Sequence, residues 1–189
     1  MADRRFHGGI KHTEHTVEQL YKTQYYSYEK PRILIRLGIG LILAVAAVTA
    51  AIPTWARAIL LLLGCWLLAS KDFPSQIRAD RAMQARKAAL PDMEYDFYED
   101  HVYVTGEGSM NIKYKKFTRL VQDEKYLYLF LAKDSLCMLE RESLQPADAE
   151  KFMAFIADKT GLVWRREKSI LSMNLWDVKQ LIKDRKQQK

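Results

Sequence analysis

Cysteine is scarce in this chain. Cys65 and Cys137 are the only two in 189 residues, and they lie in segments of different character, so no disulfide framework is available. Neither has a histidine nearby in sequence to activate it, and both are expected to act as small apolar packers. Motifs of known chemistry are missing as well. There is no phosphate-cradling glycine loop, no nucleophile elbow, no zinc-ligand spacing and no credible triad. The carboxylates of Asp123-Glu124 and Glu140/Glu142 fall in turns or at strand ends, where solvation accounts for them. His7, His12 and His15 cluster near the N-terminus without a fourth ligand, and Gly8-Gly9 beside them suggests flexibility. No catalytic, cofactor-binding or metal residue is therefore expected. Met1 to Lys30 is polar, with no apolar core and no small-residue cleavage site, so a cleavable signal peptide is not expected.

Long apolar runs, by contrast, are present. Ile33 to Ile52 is apolar apart from Arg36, and Ala58 to Ala69 is a second, shorter run beyond a Pro53-Thr54-Trp55-Ala56-Arg57 break. A hydrocarbon core about 30 Å thick takes about 20 helical residues, which the first run supplies. The second reaches that length only with its flanks, helped by snorkelling of Arg57 and Lys71. The pair reads as a transmembrane helical hairpin. The alternatives are a buried hairpin of a soluble protein, which would need a large partner core, and a re-entrant second segment.

Charge sets the topology. Lys30, Arg32 and Arg36 precede the hairpin; Lys71, Arg78, Arg81, Arg86 and Lys87 follow it; the connecting turn holds only Arg57. Positively charged flanks stay inside, which places both termini in the cytoplasm of a multi-pass protein. The net charge of +7 is unevenly spread. Glu94 to Trp164 carries 9 basic and 13 acidic side chains, and Arg165 to Lys189 carries 8 and 3. Basic charge beside the bilayer and an acidic folded region fit lipid headgroups better than nucleic acid, which is not expected as a partner. Lys30, Arg32, Arg36, Lys71, Arg78 and Arg81, with Trp176 in the tail, are the expected membrane-surface residues.

Before the hairpin, Thr16-Val17-Glu18-Gln19 has the form of a capping box and predicts a helix from Val17 to about Tyr28, with Tyr25, Tyr26 and Tyr28 as an interfacial belt. Ile10 is assigned to a short strand. After the hairpin, Ser75 to Leu90 predicts a helix ended by Pro91, with Pro74 kinking it away from the bilayer. From Asp92 the period becomes two. Strands are predicted at 94–98, 101–105, 110–114, 119–122, 126–131 and 136–140, joined by tight polar turns into an antiparallel meander. Pro146-Ala147-Asp148 opens a helix that Gly161 closes near Thr160. Tyr126 to Leu131 is apolar on both faces. Either one face lies under the helix and the other against a second sheet, or Tyr126, Tyr128 and Phe130 face a partner groove. Ser169 to Arg185 predicts a basic amphipathic helix that lies on an anionic membrane through Trp176 or packs on the chain itself.

The run Lys113-Tyr114-Lys115-Lys116-Phe117-Thr118-Arg119-Leu120-Val121, then Tyr126-Leu127-Tyr128-Leu129-Phe130, then Leu136-Cys137-Met138-Leu139 and a helix, resembles the YcxB-like family, as does the order of elements from Thr16 to Trp164. The resemblance implies a bacterial inner-membrane protein of α+β class. It would combine a transmembrane helical hairpin with a cytoplasmic pleckstrin-homology-like (PH-like) antiparallel β domain closed by a C-terminal helix. Glu140-Arg141-Glu142 departs from the Pro-Lys-Arg type of step often found there, and the basic tail extends past the usual end. The expected divisions are 1–30 (N-terminal segment with a short helix), 31–71 (hairpin), 72–91 (connecting helix), 92–164 (PH-like domain) and 165–189 (basic C-terminal helix).

Three classes of function then compete. A membrane-anchored, non-enzymatic binding or scaffold protein, serving a protein partner or the inner membrane surface with its anionic lipid headgroups, fits these features best. The acidic Glu99-Asp100 turn argues against inositide binding. An enzyme lacks its motifs. A homo-oligomeric subunit of a transporter, channel or sensor complex, packed through Gly38, Gly40, Ala44, Ala47 and Ala51, lacks an ionisable residue at mid-helix.

Overall fold

The structure, a computed structural model, describes residues 3–85 and 91–166. Arg86, Lys87, Trp176 and the expected tail helix lie outside the described residues.

The chain begins with a strand. β1 (Phe6–Ile10) pairs antiparallel with β2 (Met93–Phe97), Phe6 opposite Phe97 and Ile10 opposite Met93. Gly8 and Gly9 are therefore not flexible spacers. A Cβ on Gly9 would lie 2.9 Å from the Met93 carbonyl oxygen, and one on Gly8 would press on Leu139 and Leu144 at 3.2 Å. Glycine is needed because another part of the chain passes so close. β2, β3 (His101–Thr105) and β4 (Ser109–Lys113) complete a four-stranded sheet in the order β1-β2-β3-β4. The expected divisions 1–30 and 92–164 thus share one sheet, with the helical hairpin inserted between its first two strands.

β5 (Arg119–Gln122), β6 (Tyr126–Ala132) and β7 (Ser135–Glu140) form the second sheet, with β8 (Trp164–Arg166) on the far edge of β5. The β5–β8 pairing is parallel, an exception to the expected meander. It follows from α5 (Ala149–Thr160), which carries the chain from β7 at one edge of this sheet to β8 at the other. Asp148 caps α5 by accepting from the Lys151 N–H at 2.9 Å, and Gly161 closes it in the left-handed region at φ 68°. Alternation puts Phe97, Val102, Leu120, Leu127, Leu129 and Leu139 in the core, where Phe152 of α5 meets Phe97 edge-on at 4.8 Å. Each such side chain contributes roughly 1.5–3 kcal/mol by leaving water.

The inserted helices are α1 (Glu14–Tyr28), α2 (Lys30–Thr49), α3 (Thr54–Ala69) and α4 (Phe73–Ala85). α1 starts three residues earlier than its sequence signal. Thr13 is the N-cap, and Thr16 is the other half of the capping box: each hydroxyl accepts from the other's backbone N–H, at 3.3 and 2.7 Å. Thr at the third position does what Glu or Gln usually does. α2 and α3 run antiparallel, crossing where Gly40 meets Gly64. Residues 50–53 make the turn, and Thr54 to Arg57, expected within it, are already helical. A 3-10 turn at Ser70–Asp72 carries α3 into α4 without a reversal, so Thr54–Ala85 is one helical run of 32 residues. The second helix thus reaches spanning length together with its flanks. Both helices are long and apolar enough to cross a membrane, and only 17% and 11% of their most apolar windows are buried. That is the reverse of a core helix in a soluble protein.

Candidate functional site

The hairpin meets the β domain at a charged junction built around Glu29. This single residue separates α1 from α2. Its N–H still bonds the Tyr25 carbonyl at 2.9 Å, while its own φ of −114° and ψ of 20° break the helix. The side chain does not cap α2. It turns to three cations: Arg32 on α2 at 3.2 Å, Arg78 on α4 at 2.8 Å and Lys133 in the β6–β7 turn at 2.9 Å. Arg78 and Lys133 share Oε1 as charge contacts rather than well-directed hydrogen bonds. Glu29 is only 5% exposed. Burial alone would raise its carboxyl, but the contacts and charges of Arg78 and Lys133 win and hold it at about 2. A carboxylate that stays ionised at neutral pH is neither a proton donor nor an effective base, so its work here is electrostatic.

Neighbouring contacts tie the same elements together. Gln24 Nε2 donates to the Lys133 carbonyl at 2.6 Å and to Asp134 at 2.8 Å. The Arg119 guanidinium, at the start of β5, donates to the Ser27 carbonyl and lies 4.4 Å over the Tyr28 ring, which meets Phe130 edge-on at 5.4 Å. On the hairpin side, Tyr26 donates to Asp72, and Arg36 donates to Ser70 at 2.9 Å while facing Trp66. Arg78 also lies over Tyr25, which packs with Tyr26 and Ile33. The junction thus joins α1, α2, α4, β5 and the β6–β7 turn.

The residues expected at a membrane surface divide accordingly. Arg32 and Arg78 hold Glu29; Arg36 braces α2 against the end of α3; Lys30 and Lys71 are half-buried and Arg81 is exposed. The proposed partner face is corrected. Tyr126, Tyr128 and Phe130 are buried, and the side of β6 that carries them is covered by α1. An apolar strand face needs a cover, and the chain supplies it. Among the small residues considered for oligomer packing, Gly40, Ala44 and Ala47 are used inside the hairpin, while Gly38 faces open space. Cys65 is exposed on α3 instead of packed, whereas burial raises the Cys137 thiol to about 12, an inert group. Glu29, Gln24, Arg119 and Lys133 were not singled out from sequence. The one available signal was Glu29 itself, a lone acid beside Lys30, Arg32 and Arg36.

A cleft of about 190 Å³ lies between α1 and β5, lined by Gln19, Lys22, Thr23, Tyr26, Gln122 and Asp123 among others. Asp123 is already engaged, accepting from the N–H groups of Lys125 and Tyr126 at 2.8 and 2.6 Å and from the Tyr128 hydroxyl at 2.7 Å. Among the described residues no three histidine, cysteine or carboxylate side chains converge as a metal site.

The family model for YcxB-like protein matches residues 97–156. This segment is similar to a YcxB-like domain. Its match runs from the last residue of β2 to Ile156 in α5, and so is narrower than the Thr16 to Trp164 resemblance. Arg119, Phe130 and Lys133 of the junction belong to the YcxB-like domain, while Gln24, Glu29, Arg32 and Arg78 lie outside it. No curated protein and no solved structure matches the chain.

Proposed function

We propose that this chain is a membrane-anchored, non-enzymatic binding or scaffold protein that presents a PH-like domain to the cytoplasm. The hairpin of α2 and α3 spans a bacterial inner membrane with both termini inside. The observation that carries the reading is the outward-facing apolar surface of the hairpin, fixed to a domain whose own apolar side chains are buried. Two four-stranded sheets closed by α5 support the PH-like description. The junction adds the purpose: the domain is braced against the hairpin base, where a protein partner or the inner membrane surface would meet it. Fold alone assigns no ligand.

Topology is tested by labelling one introduced cysteine at a time, in a Cys65→Ser background that keeps only the buried Cys137, in sealed right-side-out membranes. Thr54→Cys should react with an impermeant maleimide, and Lys151→Cys should react only after the membrane is opened. Equal labelling of both sites in sealed membranes sinks the proposed topology. Crosslinking of the intact chain in native membranes then tests function. A crosslinked protein captured through the domain supports a scaffold. Self-crosslinked species together with ion flux in reconstituted vesicles would instead favour the oligomeric transporter, channel or sensor subunit.

A further inference from the structure

We infer that the Glu29 junction is a phosphate site for the headgroup of an anionic phospholipid, shared between the hairpin and the YcxB-like domain. This rests on the membrane-spanning reading above. The first argument is charge. Three cations, Arg32, Arg78 and Lys133, converge on one buried carboxylate. Including Arg36 and Arg119 with Asp72 and Asp134, the junction gathers five cations against three carboxylates. One internal acid organises the cluster without neutralising it. Arg32, with a side chain 74% exposed, and Lys133, at 45%, keep open faces beyond their contact with Glu29.

The second argument is position. Glu29 immediately precedes α2, whose outer face turns apolar at Leu34 and Ile35. If α2 spans, this is headgroup depth, and phosphate is the anion found there. Arg78 and Lys133 share Oε1, which brings their nitrogens close enough for one phosphate to bridge them, and a planar guanidinium such as Arg32 suits phosphate oxygens. Glu29 is a positioning residue: it holds three like charges together before the headgroup arrives. Because Lys133 belongs to the domain and Arg32 and Arg78 to the hairpin, a bound headgroup also tightens the docking of one on the other.

The test uses the full chain in nanodiscs of phosphatidylcholine, with or without phosphatidylglycerol as one lipid in three. Retained lipid is read by native mass spectrometry, and the β6–β7 turn by hydrogen exchange. Phosphatidylglycerol should be retained preferentially and should slow exchange in the turn. Lys133→Gln and Arg32→Gln should each lower that preference about fivefold, the effect of one basic residue near an anionic surface. Lys125→Gln, an exposed cation at the opposite end of β6, should leave it unchanged, and exchange in β3 should show that every variant is folded. Equal retention of both lipids, or an equal loss with Lys125→Gln, overturns the inference. So does protection of the turn by inorganic phosphate in phosphatidylcholine discs that equals protection by the lipid, and so does a protein crosslinked to Lys133 in native membranes regardless of lipid. Carbonate extraction separates the two levels. A chain stripped from the membrane refutes the spanning reading and this site with it; a chain that stays inserted without headgroup preference refutes this site alone.

Discussion

Among the described residues, fourteen of the sixteen exposed large hydrophobic side chains lie on α2, α3 or the start of α4; Met110 and Val163 are the two others. The β domain, with comparable apolar strands, hides nearly all of them. The two regions also make their contacts with different residues. The domain is packed by leucines and aromatic rings across two sheets. The hairpin is packed by Gly40, Gly64 and Ala47, small residues that let backbones approach. Large side chains between elements mean that burial drives the packing. Large side chains outside, with small ones between, are the pattern expected where the surroundings are as apolar as the interior. The contrast supports a lipid environment for the hairpin more strongly than its apolar length does.

The sharpest way to break this comparison is to remove β1. Deleting residues 3–12 should abolish cooperative unfolding of the domain, because Ile10 is a buried core residue and Phe6 packs on Phe152 and Phe155, both at 5.4 Å. The loss should take most of the roughly 5–15 kcal/mol that stabilises a domain. Thermal unfolding in detergent followed by near-UV circular dichroism reads it. If the truncated chain melts as sharply as the full one, β1 is an ornament and the domain is not split around the hairpin.

Next comes a matched pair of leucines. Leu129 in β6 is fully buried, whereas Leu62 in α3 is 71% exposed. Leu129→Ala should cost about 2–5 kcal/mol and Leu62→Ala less than about 0.5 kcal/mol in the same detergent unfolding experiment. Similar losses at both sites would mean that Leu62 is covered by protein, and the two regions would no longer differ in kind.

Two carboxylates extend the comparison to charge. Glu99, at the β2–β3 turn, contacts Arg5 and Lys159 but is exposed, and its contact with Lys159 is the main cause of its lowered titration. Glu29 is buried and held at about 2, against an ordinary value of 4.5. A folded value below the unfolded one gives stability that is fully present above about 4.5 and is lost as pH falls toward 2. The full amount is about 3 kcal/mol. Protection of the β6–β7 turn amides, corrected for the pH dependence of intrinsic exchange, should therefore fall through that acid window, and Glu29→Gln should show low protection already at neutral pH. Glu99→Gln should leave the turn unchanged. An acid response that survives in Glu29→Gln would assign it to another group.

Much of this arrangement was legible in the sequence, and the rest was hidden for identifiable reasons. Period-two strands from 93 onward, the apolar pair and the α5 caps each depend on nearby residues, and local patterns reveal local structure. β1 was obscured because Gly8-Gly9 signals flexibility in isolation, and only the approach of Met93 and Leu139 shows why side chains are excluded there. The face of Tyr126, Tyr128 and Phe130 could be placed under a cover but not under α1, which lies about a hundred residues earlier. The junction was missed for the same reason: Glu29 and Lys133 meet only through the fold.

The smallest expected effect tests how the hairpin is held. A Cβ on Gly64 would sit 2.9 Å from the backbone oxygen of Gly40, an atom that cannot move without its helix, whereas a Cβ on Gly38 would meet nothing within 4 Å. Alanine is the better helix former at both positions, by up to about 1 kcal/mol. Gly38→Ala should therefore be neutral or slightly stabilising. Gly64→Ala should force α2 and α3 apart at a cost of about 1–3 kcal/mol, partly offset by the same propensity gain. Disulfide trapping between cysteines at Ala47 and Leu60, on facing helices, reads the spacing directly. A slower trap with Gly64→Ala alone identifies the glycine contact as what sets the approach of the helices. Equal slowing by Gly38→Ala would show that the face now open carries a contact too, and a second copy packed on that face would then be the first explanation to examine.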